Sequence, residues 1–344
     1  MRIAIVTDAW FPQVNGVVRT LDTVRRELEG QGHVVEVIGP DRFRTIPCPT
    51  YPEIRLALFP MKRLKALLDA FNPDALHLPT EGPLGMAGKK LAVKRHWPFT
   101  TSFHTKFPEY LHARTGIPAS WSYAFLRRFH NAADRIMVAT PSLEAELHQR
   151  GFRNIVRFSR GADLDLFRPR EPLPLDLPKP IFAYVGRVAV EKNIGAFLSL
   201  DLPGSKLIVG DGPQREELQR QYPQAHFIGA KHGEELARAY SAADVFVFPS
   251  RTDTFGLVVL EALACGVPVA AYPVTGPRDI LSEAAQPVGA LNEDLREAAL
   301  AALSVDRAAC REHALSYSWS AAAGQFLNAL ALIREEARAP APQA

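Results

Sequence analysis

Residues 250–261 read SRTDTFGLVVLE, and the chain continues as ALACGVPVAA to residue 271. Two carboxylates, Asp253 and Glu261, stand eight positions apart around an aromatic-glycine pair and an apolar run. A helix that only packs gains nothing from an acid after LVVL, because a buried ionised carboxylate is costly unless paired. Glu261 therefore has either a structural partner or a ligand. The run DVFVFPS before this stretch and VPVAAY after it read as short buried strands. Strand, loop, helix, strand is the repeating unit of a parallel sheet.

The same alternation runs outward in both directions. Upstream come RIAIVT, the loop DAWFPQVNG, the amphipathic VVRTLDTVRREL, HVVEVIG, MKRLKALLDAF, DALHL, FTTSFH, SWSYAFLRRFHNAA, RIMVAT and SLEAELHQRG. The pattern stops at RPREPLPLDLPKP, residues 168–180, whose five prolines exclude helix and central strand. It resumes with IFAYVG, KLIVG and HFIG, each followed by a helix-length segment. The expectation is an α/β protein of two doubly wound, Rossmann-like domains. Residues 1–168 form the first, 169–180 a linker and 181–317 the second, with a final helix over 318–337. Ligands of such sheets sit outside the carboxyl ends of the strands, so two facing domains would leave a cleft between them.

With 344 residues, 47% hydrophobic and 22% charged, the chain has material for two cores. No apolar run reaches the roughly 20 residues of a membrane span, and MRIAIVTDAWFP reads as a first strand, not a leader. Cys48, Cys265 and Cys310 show no metal spacing, which suits a reducing cytoplasm. Residues 1–170 hold 25 Lys and Arg against 16 Asp and Glu; residues 171–344 hold 15 against 21. A basic half joined to an acidic half suggests an anionic partner, although solvated surface explains such charge equally often.

Several chemically useful residues follow strands directly. Gly16 opens a helix after the first loop, His104 ends FTTSFH, Arg187 follows IFAYVG with Lys192 five positions on, Gly212 belongs to GDGP, and Asp253 follows DVFVFPS. The helix start at Phe255-Gly256-Leu257 offers backbone N–H groups and a dipole suited to a diphosphate. Arg187 and Lys192 would add positive charge. Glu261 could accept ribose hydroxyls, and Asp253 hydroxyls of a sugar beyond the diphosphate. Each residue alone has an ordinary explanation: a paired helix acid, a capping Asp, a surface cation, a turn glycine or a strand-end histidine. Their coincidence at five strand ends is the stronger signal.

These residues carry a resemblance. TDTFGLVVLEALACGVPVAA resembles the E-x(7)-E signature of retaining glycosyltransferases of family 4, which have the GT-B fold. GRVAVEKNI, RGADLDLFRP and FPQVNGV match three further elements of that family, and the likeness spans the whole chain. SRTDTFG and YPVTGPRDI are closest to the branch making sulfoquinovosyl-, glucosyl- or mannosyl-diacylglycerols. The one departure is Asp253 where the family's first acid is usually Glu. The resemblance implies that Arg187 and Lys192 bind the donor diphosphate and Glu261 the ribose. It makes Thr254, Phe255, Gly256, Leu257 and Gly212 donor contacts, brings Gly16 from the other domain, and sets His104 against the transferred sugar. It also implies that the final helix crosses back to the first domain. Asp163 and Asp165 spell D-x-D, but as part of the interdomain element they read as a hinge, not a metal site.

The implied reaction moves a hexose from a UDP- or GDP-sugar to an acceptor hydroxyl with retention, needing neither metal nor cofactor. The basic half points to a lipid acceptor at an anionic membrane, the protein being cytoplasmic and peripheral on its inner face. Trp97, Phe107, Tyr110 and Trp121 are the candidate interfacial groups. A sugar-nucleotide epimerase or a non-catalytic nucleotide-sugar binder would share many of these features. Nucleic acid is not expected as a partner, since no RNP stretch, zinc spacing or helix-turn-helix pattern occurs.

Overall fold

The computed structural model describes residues 1–13, 15–48, 51–104, 106–109, 116 and 118–333. The chain divides into two compact units, Met1–Ser159 with the segment beginning at Trp319, and Arg160–Ser318. Both are parallel sheets flanked by helices, as the alternation of apolar runs and helical segments requires.

The first unit contains β1 (Arg2–Val6), β2 (Val34–Ile38), β3 (Thr45–Cys48), β4 (Tyr51–Ala57), β5 (Ala75–Leu78), β6 (Thr100–Ser102), β7 (Arg135–Val138) and β8 (Ile155–Arg157). Six of them form one parallel sheet in the order β2-β1-β5-β6-β7-β8, while β3 and β4 make a separate antiparallel hairpin. Ile3 to Val6 are fully buried, which is why β1 reads as an unbroken apolar run. Asp8, just beyond it, caps the helix Pro83–Lys94, accepting from Leu84 N at 2.8 Å and Gly85 N at 3.2 Å. Burial pushes the Asp8 carboxyl upward, and those backbone bonds only partly oppose it. A Cβ at Gly85 would lie 1.8 Å from the Thr80 carbonyl oxygen, so this helix starts where only glycine fits.

Strand β6 breaks the apolar rule: Thr100, Thr101 and Ser102 are all buried. Two buried histidines satisfy them. His77 lies 2.8 Å from Thr100 Oγ1 through Nδ1 and 3.1 Å from Ser102 Oγ through Nε2. His130 lies 2.9 Å from Thr101 Oγ1 through Nδ1 and 2.8 Å from Glu81 Oε1 through Nε2. Buried polar groups persist in a core only when matched in this way.

The helix Trp319–Ala329 belongs to the first unit. Phe326 is its fully buried anchor, with ring centroids 4.9 Å from His77 and 5.3 Å from Phe158. Gln325 Oε1 accepts from Ser159 N at 2.7 Å, and Ile333 N donates to Asp74 O at 2.8 Å. Residues 334–337 of the expected final helix lie outside the described residues.

The second unit contains β9 (Ile181–Val185), β10 (Ser205–Val209), β11 (His226–Phe227), β12 (Val245–Phe248), β13 (Val269–Ala271) and β14 (Gly289–Leu291), all parallel, in the order β11-β10-β9-β12-β13-β14. The chain reverses its direction of travel across the sheet between β9 and β12, the topological switch point where such sheets bind ligands. The proline-rich stretch read as a linker has no regular structure and belongs to this unit. Leu173 N donates to Arg238 O at 3.2 Å, and Ser205 Oγ donates to Pro178 O at 2.8 Å. The division of the chain falls at Ser159/Arg160, ahead of the 168/169 boundary read from the prolines.

Removing the Phe326 ring leaves a cavity between the last helix and the sheet. Phe326→Ala should destabilise the first unit by about 3–5 kcal/mol, read as a lower denaturation midpoint in urea.

Candidate active site

Arg187 owes its place to glycine. Gly186, Gly210 and Gly212 all take positive φ, between 147° and 156°. A Cβ at Gly210 would lie 1.9 Å from Gly186 O, and one at Gly212 would lie 2.3 Å from Val188 O. The GDG turn after β10 thus packs backbone to backbone against the turn after β9. Gly186 N donates to Val209 O at 3.0 Å, and Val188 N to Asp211 O at 2.9 Å. Tyr184 Oη donates to Arg187 O at 2.8 Å and fixes the half-buried Arg187 from below.

Lys192 ends a short 3-10 turn, Val190–Lys192, in the following loop. Its Nζ lies 2.6 Å from Asp253 Oδ1, with side chains only 23% and 17% exposed. Burial alone would lower the lysine's pKa, but Asp253, with help from Tyr184 and Glu191, raises it above 10.5. Lys192 is therefore charged at neutral pH, and the stability its raised pKa contributes is lost as pH rises through that raised value. The two loops are fastened elsewhere too: Asn193 Nδ2 donates to Pro249 O at 3.1 Å, and Thr252 Oγ1 to Glu191 O at 3.4 Å. Asp253 Oδ2 is buried and has no hydrogen-bond partner among the described residues. Sequence reasoning gave Lys192 and Asp253 separate tasks; the fold brings them together across the switch point between β9 and β12.

The helix Leu257–Ala264 begins at Gly256, whose φ of 86° explains the glycine, and no side chain caps it. Phe255 is buried, its ring against Tyr317 with centroids 6.4 Å apart. Its carbonyl oxygen lies where a Cβ at Gly276 would come within 2.5 Å. Thr254 and Leu257, on either side, are half-buried. Glu261 is 2% exposed and accepts from Tyr240 Oη at 2.8 Å. Glu261 thus has a structural partner, 21 residues away in the chain and without any local motif to announce it.

In the first unit Gly16 opens the helix Gly16–Gly30, which Asn15 caps by accepting from Val17 N and Val18 N. A Cβ at Gly16 would meet nothing within 4 Å, so neither packing nor backbone strain calls for glycine there. His104 is half-buried beyond the carboxyl end of β6. Asp163 Oδ1 accepts from Leu166 N at 2.9 Å, so the D-x-D stretch builds a turn. Among the described residues no group of three or more His, Cys, Asp or Glu is arranged to hold a metal ion.

Sequence comparison gives the family. A model of Glycosyltransferase Family 4 matches residues 14–166, and one of Glycosyl transferases group 1 matches residues 179–305. A GDP-mannose-dependent alpha-mannosyltransferase of Mycobacterium tuberculosis (strain CDC 1551 / Oshkosh) is 33% identical over 97% of this chain and 97% of its own. The chain belongs to glycosyltransferase family 4. Another relative, the sulfoquinovosyl transferase SQD2 of Arabidopsis thaliana, is 33% identical over 78% of this chain and 54% of its own. Among solved structures, sucrose-phosphate synthase from Thermosynechococcus elongatus superposes with a TM-score of 0.74 at 22% identity, covering 95% of this chain and 97% of that one. The apo lipopolysaccharide outer core galactosyltransferase WaaB gives 0.66 at 16% identity, covering 96% and 99%. The fold is GT-B, and this family 4 glycosyltransferase is an enzyme that uses nucleotide sugars.

The glycines divide into two kinds, and alanine separates them. Gly210→Ala should cost several kcal/mol, because backbone must move. Gly16→Ala should leave the melting temperature unchanged or raise it slightly, since alanine is favoured over glycine in a helix by roughly 0.5–1 kcal/mol. Thermal unfolding of the two variants beside the parent checks both.

Proposed function

We propose that this enzyme transfers a hexose from a GDP- or UDP-sugar to a lipid hydroxyl at a membrane surface, retaining the anomeric configuration and using no metal ion. The observation that carries the donor half is the charged pair at the switch point, Lys192 with Asp253, whose Oδ2 is buried without a partner. Arg187 stands on the adjacent strand end, and the uncapped start of the helix Leu257–Ala264 follows the Asp253 loop. These fixed cations and amide dipoles suit the negative charge that builds on a departing diphosphate, a task otherwise given to a divalent ion. The acceptor oxygen bonds to the anomeric carbon on the face the diphosphate leaves. The carbon–oxygen bond to the diphosphate breaks, and the acceptor's proton passes to a leaving phosphate oxygen. Gly16, Gly212, Thr254, Phe255, Gly256 and Leu257 are assigned to the donor, Glu261 to its ribose, and His104 to the transferred sugar, following the family's pattern.

GDP-mannose is the first donor to test, because three relatives of 30–34% identity are named GDP-mannose-dependent alpha-mannosyltransferases. For the acceptor, SQD2 and an alpha-monoglucosyldiacylglycerol synthase of Streptococcus pneumoniae are also relatives. No helix among the described residues is long and apolar enough to cross a membrane, so the membrane contact proposed is peripheral, on the cytoplasmic face. The helix Ala119–His130 supports it, with Trp121 73% and Phe125 51% exposed and an exposed Arg128 at the same helical spacing. Phe107 is also exposed. Trp97 is corrected: it is buried, with Arg95 stacked 4.6 Å from its ring, so it faces the core. Tyr110 lies outside the described residues.

Two outcomes check this reading. Lys192→Ala should lower transfer by about 10²–10³-fold with the fold retained, while chelation by EDTA leaves the parent's rate unchanged; near-normal turnover in the variant contradicts the assignment. In flotation, the protein should bind phosphatidylglycerol vesicles at low salt and release them at high salt. Equal binding to phosphatidylcholine would remove the anionic-surface proposal.

A further inference from the structure

The Lys192–Asp253 pair poses a question about order. Lys192 cannot give its full charge to an incoming diphosphate while Nζ is held 2.6 Å from Asp253 Oδ1. Turning the lysine away leaves a carboxylate that is 17% exposed and already has one buried oxygen without a partner. Breaking one side of a poorly solvated ion pair is far more costly than replacing its partner. Two neighbouring donors are engaged elsewhere: Asn193 Nδ2 donates to Pro249 O, and Thr252 Oγ1 to Glu191 O. Sugar hydroxyls are the donors that would satisfy both oxygens at once.

We infer that Asp253 makes the site discriminate between a nucleotide sugar and the bare nucleoside diphosphate by an exchange of partners. A diphosphate alone takes Lys192 and strands the carboxylate. A diphosphate carrying a hexose takes Lys192 and returns hydroxyls to Asp253. The same exchange weakens the hold on the product once the sugar has left, so Asp253 promotes release of the spent nucleotide as well as capture of the loaded one. The raised pKa of Lys192 agrees with a lysine that is charged before any ligand arrives. This inference rests on the donor site proposed above and adds to it a specificity role for the acid.

The test compares binding of GDP with GDP-mannose, and of UDP with UDP-glucose, by titration calorimetry on the intact chain. Asp253→Asn removes the carboxylate's claim on Lys192 and keeps the side chain's size. GDP or UDP should bind this variant about tenfold more tightly than the parent, while the sugar nucleotide gains nothing, so the preference for the loaded donor shrinks or inverts. Asp253→Glu restores the charge and should restore much of the preference. Melting temperatures of both variants establish that they are folded. A general gain of positive potential would tighten both ligands alike, and that result overturns the exchange. Unchanged binding of the bare nucleotide overturns it too. A parent chain that binds none of the four ligands instead overturns the donor reading on which the exchange rests.

Discussion

A charged or polar group taken out of water must find a partner, and in this chain that constraint shapes both units. Asp8 finds it in the first amides of a helix, Glu261 in the hydroxyl of Tyr240, and His130 in Thr101 and Glu81. Each case joins elements distant in the chain, so the polar bonds specify which helix lies over which strand, a choice that apolar contact alone leaves loose. At Asp253 the matching is only half made. One oxygen meets Lys192, and the other is buried with nothing to accept from. This incomplete carboxylate lies at the switch point of a doubly wound sheet, where ligands bind.

The second constraint is closeness of backbone. The turns after β9 and β10 touch through Gly186, Gly210 and Gly212, with no room for a Cβ between them. That contact places Arg187 at the rim of the sheet and sets the origin of the loop that ends in Lys192. The cations of the site are thus positioned by glycines that carry no chemistry of their own. Gly16 differs, because nothing within its own unit fills the space a side chain would take.

Much of the fold was legible in the sequence because parallel strands buried on both faces have to be apolar throughout. IFAYV and VFVF are fully buried, as such runs demand. The position of the candidate residues was legible because they follow strands, and strand ends are where a doubly wound sheet presents its loops. Pairings across long separations were not. Nothing near Glu261 points to Tyr240, and the five-residue interval from Arg187 to Lys192 does not show that the lysine turns toward Asp253. β6 was readable as a strand, but its three buried hydroxyls make sense only once His77 and His130 are seen on them. Trp97 misled because aromatic residues beside lysines look interfacial in a sequence; its ring is under Arg95 and in the core. Five prolines excluded regular structure correctly but said nothing about which unit the stretch lies on.

The charge imbalance between the halves also changes meaning in three dimensions. Arg25 and Arg26 share Asp22, Arg95 pairs with Asp69, Lys106 with Glu146, and Lys89 donates to the carbonyl of Arg128. Several of these cations are thus engaged locally, and each exposed ion pair contributes little to stability. What distinguishes the helix Ala119–His130 is the combination of exposed aromatic rings and a cation at one helical spacing, since a bilayer interface rewards both together. At the other end of the reaction, the shorter acid at position 253 follows the same logic of local engagement. A carboxylate in contact with Lys192 is held in one place by that contact.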